Sequence, residues 1–255
     1  MDPMPEEEVI PRIPGIPFTP TAEQREHHEA TGHATYRPWC ESCISGKARR
    51  SAHRPDTGHG DVPEISFDFA ELALENAESL RILVCKATPE LNYFASTSFD
   101  FKSSPFCISF VRGFFEMLGY RRVILRSDGE AALISTLREA VAATPGLEAI
   151  FRTSPPDDPQ ANGAAERAVQ EVKAHSKVLV ADLRGKYPGI DLGCHVFSWV
   201  PRHAAASISR YRILECGRTA EELRSGRKWR RPTILFGEVA HFMPAGQKPR
   251  GAPIL

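Results

Sequence analysis

From Val62 onward the apolar residues change period in a definite order, and that order leaves few folds open. Three short runs rich in β-branched and aromatic residues come first: EISFDFAEL (64–72), LRILVCKA (80–87) and LNYFASTS (91–98), each reading as a strand. SPFCISFVRGFFEMLGY then takes helical spacing, RRVILRSDGE returns to a strand, EAALISTLREAVAATPG is a helix stopped by Pro-Gly, and LEAIFRTS is a fifth strand. A long helical pattern opens after Asn162 and Gly163. The resulting order, β-β-β-α-β-α-β-α, predicts a mixed five-stranded sheet of the α/β class with helices on both faces.

That is the layout of a ribonuclease-H-like domain. A chain of 255 residues, 42% apolar and 25% charged, has material for one such core plus appendages. Residues 1–22 are Pro- and Glu-rich without periodicity and are expected to be a disordered linker. Residues 23–50 concentrate His and Cys, residues 51–61 form a second linker, residues 62–215 are the core, and residues 216–255 are a basic extension. There is no apolar run of eighteen residues and no signal-peptide pattern, which predicts an intracellular chain without a membrane partner.

The zero net charge hides a gradient. Residues 1–100 carry 9 Lys+Arg against 17 Asp+Glu, a net of −8, whereas residues 201–250 carry 11 against 4, a net of +7. Arg227, Lys228, Arg230 and Arg231 in RSGRKWRRP therefore predict a polyanion partner.

Open α/β sheets gather ligands outside the carboxyl ends of their strands. Asp68 lies in the first strand, Asp128 follows the fourth, and Glu166 sits in the first turn of the helix after the fifth. Singly, each reads as well as a turn residue or a helix-dipole partner; jointly they read as one site. Carboxylate oxygens suit Mg2+ or Mn2+, and a two-metal site activates the attacking oxygen and stabilises the leaving oxygen in phosphoryl displacement. The helix carrying Glu166 has an apolar stripe of Ala165, Ala168, Val169, Val172, Leu179 and Leu183. Gln170, Lys173 and Lys177 lie on the Glu166 face, where the lysines suit phosphate contacts, although Lys177 fits a solvated face equally well.

His28, His33, Cys40 and Cys43 have the pattern H-x4-H-x6-C-x2-C, with His27 as an alternative to His28. Two imidazoles and two thiolates make a closed tetrahedral Zn2+ site of the structural type. Behind the linker, such a cluster is expected to order only its own segment. Cys85, Cys107 and Cys194 sit in apolar runs and read as small core residues.

SFDFAEL, VILRSDGEAAL and PQANGAAERAVQEVK, in this order and spacing, resemble the D,D,E integrase core of long-terminal-repeat retrotransposons and retroviruses. Gln160, Asn162, Gly163 and Glu166 match that family's pattern of Gln or His, then Asn-Gly, then Glu, and the resemblance runs from about Arg25 to Pro244. It implies a polynucleotidyl transferase that trims DNA ends and joins them to target DNA, with Asp68, Asp128 and Glu166 as catalytic metal ligands. It further implies nucleic-acid contacts at Gln160 and Asn162, double-stranded DNA as partner, a homo-oligomeric state, and a nuclear location in a eukaryotic cell. The family's His-His-Cys-Cys segment normally has more than twenty residues between the second His and the first Cys. Here there are six, so a compact knuckle is expected in place of a three-helix bundle.

Two alternatives remain open from the sequence. A ribonuclease-H-type nuclease needs a further helix carboxylate between the two aspartates, for which Glu116 is the candidate. A zinc- and DNA-binding remnant of a mobile element without catalysis is the other.

Overall fold

The computed structural model describes residues 19–46, 62–74, 79–88, 91–102, 104–153, 163–191, 193–230 and 234–239. The linker expected at 51–61, most of that at 1–22, and Gln160, Asn162 and Arg231 lie outside these residues.

The core is a five-stranded sheet in the order β3-β2-β1-β4-β5, built from β1 (Glu64–Leu72), β2 (Leu80–Thr88), β3 (Tyr93–Ser98), β4 (Arg122–Ser127) and β5 (Glu148–Thr153). The first three strands pair antiparallel, while β4 and β5 run parallel to β1, giving the mixed sheet expected from the element order. The period of two sorts strand residues onto two cores. Ile65, Phe67, Leu83, Cys85 and Ala87 face α3 (Pro105–Leu118) and α4 (Ala131–Ala142), which contribute Val111, Phe115, Leu133 and Leu137. Leu72, Ile82 and Val84 face the other way, onto α5 (Gly163–Lys186) and α6 (Val196–Tyr211).

Local chemistry sets the helix ends. Ser104 caps α3 by accepting from Cys107 N at 3.2 Å, with Pro105 in the first turn, where its missing N–H costs nothing. The apolar stripe of α5 is buried along its length, including Ala165, Ala168, Val172, Leu179 and Leu183. Each large member contributes about 1.5–3 kcal/mol by leaving water. Helix α6 continues through Pro201 and covers the sheet beside α5, and the Ser209 hydroxyl takes the Phe94 N–H at 2.8 Å and donates to Phe94 O at 3.0 Å on edge strand β3.

Two corrections concern the core. Cys85 and Cys107 are buried as expected, but Cys194 is exposed in the turn before α6, because the apolar run that suggested burial begins only after it. Packing also continues beyond residue 215: α7 (Ala220–Ser225) docks through buried Glu221, which accepts from the Tyr93 hydroxyl at 2.9 Å and pairs with Arg224. Burial, and then the Glu221 charge, push the Tyr93 phenol up to about 12. No helix among the described residues is long and apolar enough to cross a membrane.

Candidate active site and His/Cys centre

Strand register brings the first two acids together. Ser66 of β1 pairs with Arg126 of β4 in parallel, so continuing both chains by two residues sets Asp68 beside Asp128. The bidentate pair from Arg126 to Glu64, 2.8 Å at each contact, spans the same two strands and locks this register. Asp68 shares its face of β1 with Leu72, the face that α5 covers, and Glu166 enters from the first turn of α5.

These side chains interact electrostatically. Burial first, then the charges of Asp128 and Glu166, push the Asp68 carboxyl up to about 6, with Lys173 pulling it down and Glu130 adding to the rise. Asp68 is part-buried, whereas Asp128 and Glu166 are exposed and open to ligands. Asp128 Oδ1 accepts from Glu130 N at 3.0 Å, an Asx turn that holds the carboxylate at the strand end. Carboxylate oxygens are the ligand type that suits divalent cations such as Mg2+, and the charges of Asp128 and Glu166 reach Asp68, but among the described residues the tight cluster of ligand atoms is the His/Cys one.

Two neighbours escaped the reading of the sequence. Glu130 is near enough to raise Asp68, and Lys102 pairs with Glu130 at 2.6 Å while its Nζ stands 5.3 Å from the Phe69 ring centroid. The position of Glu130 two residues after Asp128 was the only available signal; nothing local marks Lys102. Lys173 is part-buried on α5 within reach of Asp68, and Lys177 is exposed one turn further on.

Glu116 does not join the acids. It is exposed near the end of α3, pairs with Arg112 at 2.8 Å, and lines a cleft with Gly119, Arg121 and Gly146 where β4 begins. Asp128 lies past the other end of β4, about 20 Å from its start at strand rise. The further carboxylate that a ribonuclease-H-type nuclease needs is therefore not supplied by Glu116.

The basic stretch is also remote from the acids. α7 sits by Tyr93 and Met117, at the end of the sheet where β1 and β4 start, and Arg227, Lys228 and Arg230 follow it exposed. Arg210 stacks on Trp229 with 4.1 Å to the ring centroid, while Arg212 holds Glu171 at 2.6 Å and Arg202 lies over Trp199. These three arginines are thus engaged in packing.

The His/Cys segment folds as a compact knuckle from α1 (Ala22–Ala30), α2 (Glu41–Gly46) and the loop between them. His28, His33, Cys40 and Cys43 present ligand atoms that all lie within 4.8 Å of one another, so His28 rather than His27 completes the set. His33 Nδ1 is 3.0 Å from His28 Nε2, 3.4 Å from Cys40 Sγ and 3.9 Å from Cys43 Sγ, and Cys43 Sγ is 3.4 Å from His28 Nε2. A tetrahedron with Zn–N near 2.0 Å and Zn–S near 2.3 Å has edges of about 3.3–3.8 Å, so the donor set fits Zn2+. The neighbouring Cys43, with smaller contributions from His28 and His33, holds the Cys40 thiol down at about 2 against the effect of burial. Burial opposes charge on His33 too, yet Asp182 and Cys40 raise it to about 9.

The knuckle packs on the core rather than standing apart behind its linker. Gly46 lies so close to α5 that a Cβ there would overlap the Val178 side chain. Gly32, at φ +60, meets the Ser207 side chain of α6 in the same way. Small residues at the two contacts let the backbones approach.

Among solved structures, the chain is similar to the simian T-cell lymphotropic virus intasome in complex with PP2A regulatory subunit B56 gamma. That likeness has a TM-score of 0.51 at 16% identity and covers 80% of this chain and 69% of that one. The catalytic core domain of BIV integrase aligns at 18% identity and TM-score 0.42, over 64% of this chain and 93% of that one. The HTLV-2 integrase catalytic core domain in complex with magnesium aligns at 14% identity and TM-score 0.46, over 65% and 99%. The first likeness shows the fold alone: a ribonuclease-H-like core, here preceded by a His2Cys2 cluster. No known family profile matches the chain, and no curated protein does.

Proposed function

We propose that this chain is an integrase region of a retrotransposon or retroviral type, a polynucleotidyl transferase that processes DNA ends and transfers them to target DNA. The reading is supported by the placement of Asp68 in β1, Asp128 just past β4 and Glu166 at the start of α5, with the charges of the latter two felt at Asp68.

In this reading Asp68, Asp128 and Glu166 hold two Mg2+ or Mn2+ ions. When bound, the ions supply the Lewis acid that activates the attacking oxygen and neutralises the leaving one. Asp68 is held in β1 opposite Val84 of β2, just past the stretch where β1 also pairs with β4, so its carboxylate is preorganised for the reaction. The ionised form of Asp68, whose proton affinity is raised first by burial and then by the charges of Asp128 and Glu166, is favoured when cations are bound. Lys173 grips a phosphate next to the acids, and Lys177 does so one turn further along the same helix. Gln160 and Asn162, before α5, are proposed to contact the processed end, and Arg227, Lys228, Arg230 and Arg231 to bind the duplex backbone away from the chemistry. His28, His33, Cys40 and Cys43 hold a structural Zn2+ with no open position for catalysis. The working state in this reading is a homo-oligomer on double-stranded DNA, inside the cell and, where the host is a eukaryote, in its nucleus.

The test is strand transfer of a labelled DNA end into a plasmid with Mg2+ or Mn2+. Activity in wild type that is lost in Asp68→Asn, Asp128→Asn and Glu166→Gln supports the reading. Equal activity in wild type and all three variants overturns it.

A further inference from the structure

Asp182 stands sixteen residues beyond Glu166 on α5, about 24 Å along the helix axis. Its Oδ1 lies 3.5 Å from Nε2 of His33, and both side chains are largely withdrawn from water, at 14% and 2% exposure. Nδ1 of that imidazole is the atom turned toward His28, Cys40 and Cys43. The two ring nitrogens of His33 are therefore divided between the donor cluster and a carboxylate of the core.

We propose that Asp182 is a positioning residue for metal binding at the His2Cys2 cluster, and that metal occupancy is thereby coupled to the helix that carries Glu166. The inference rests on the zinc reading above and deepens it. A carboxylate facing the outer nitrogen of a metal-bound histidine fixes the proton on that nitrogen, leaves the inner nitrogen free to bind, and sets the ring plane. His33 needs such help. It stands at φ 54, in the left-handed region that L-residues seldom adopt, directly after Gly32 at φ 60. Two left-handed residues in succession turn the chain so that the His33 ring reaches both the cluster and α5.

The link does not end at Asp182. Lys186 donates to Asp182 Oδ2 at 2.9 Å and meets Glu29 of α1 at 3.3 Å, so a polar chain runs from α1 through α5 to His33. Beside it, the close approach of Gly46 to Val178 joins α2 to the same stretch of α5. Metal binding in the knuckle thus draws three of its parts, α1, α2 and the His33 loop, onto one segment of α5 between Val178 and Lys186.

The experiment uses the full chain and zinc alone, with affinity read by chelator competition and helix order by amide hydrogen exchange. Asp182→Asn keeps size and shape, and it is expected to weaken zinc binding by about 10–100-fold while one zinc per chain still binds at saturation. Lys186→Met cuts the rest of the polar chain but leaves the carboxylate at His33, and it is expected to keep zinc affinity within about threefold of wild type. Zinc is expected to slow exchange at residues 178–186 in wild type but not in the Cys40→Ser and Cys43→Ser double variant. Unchanged zinc affinity in Asp182→Asn, equal losses in Asp182→Asn and Lys186→Met, or α5 exchange indifferent to zinc overturns the inference while leaving the zinc site in place. A wild-type chain that takes up no zinc overturns the zinc reading and this inference with it.

Discussion

Asp68 and Asp128 lie side by side because Ser66 and Arg126 pair in parallel two residues earlier, and the Glu64–Arg126 ion pair holds that register. Burial of Asp68, and then the charges of Asp128 and Glu166, raise the proton affinity of Asp68.

The first prediction follows from that raised proton affinity. The Asp68 carboxyl is raised to about 6, so the folded state binds its proton more tightly than the unfolded chain does. The stability gained is fully present below the ordinary carboxylate range near pH 4 and is lost as pH rises through 6. In metal-free buffer, Asp68→Asn is therefore expected to be more stable than wild type at pH 7–8, by about 1 kcal/mol after allowance for solvent screening, and equal to it near pH 3.5. Mg2+ should stabilise wild type at pH 7.5 and leave Asp68→Asn unmoved. Thermal melts across pH, with and without Mg2+, decide it; a pH-independent difference between the two proteins counts against the coupled acids.

Glu166→Gln separates chemistry from folding. The side chain is exposed in the first turn of α5, where its interaction with the helix dipole contributes about 0.3–1 kcal/mol. The melting temperature is expected to stay within a few degrees of wild type. Strand transfer should fall by at least 100-fold, since each 1.4 kcal/mol of lost metal stabilisation is roughly tenfold in rate. A variant that melts much earlier but still transfers strands would show a structural glutamate.

Zinc removal should be felt beyond the knuckle. The His/Cys segment packs on α5 and α6, so chelation, or the Cys40→Ser and Cys43→Ser double substitution, is expected to lower the melting temperature of the whole core. A loss of about 2 kcal/mol corresponds to roughly 4–8 °C for a domain of this size. Calorimetry showing an unmoved core transition, with only a small separate one lost, would mean that the knuckle is energetically independent.

The basic stretch should change DNA affinity without changing chemistry. Reversing the charge of Arg227, Lys228, Arg230 and Arg231 is expected to flatten the dependence of log affinity on log salt by about 0.9 for each phosphate that is no longer neutralised. Arg227, Lys228 and Arg230 follow α7 at the sheet end opposite Asp128, so the single-turnover rate at saturating DNA should stay near wild type. Titrations at several salt concentrations test the first half and quenched-flow turnover the second; an unchanged slope rules out a role in backbone binding.

Much of the site was legible in the linear order of residues, for reasons that are local. Strand and helix periods around Phe67, Val84 and Val172 follow from alternation and the 3.6-residue turn, which need no knowledge of partners. The spacing of His28, His33, Cys40 and Cys43 could be read because a tetrahedral ion constrains neighbouring ligands directly. The three acids stood at the ends of elements whose order already implied a mixed sheet.

Tertiary structure alone decided the rest. Only the pairing of β1 with β4 sets Asp68 beside Asp128, and only the length of β4 removes Glu116 from the site. The roles of Arg210 and Arg212 were settled by Trp229 and Glu171, residues nineteen and forty-one positions away. Asp182 carried no local sign at all, being one of three acids on a charged helix until His33, some 150 residues earlier, came to rest against it. Local patterns record which face of an element wants burial; which faces meet depends on packing between distant segments, and that packing forms only when the chain closes on its core.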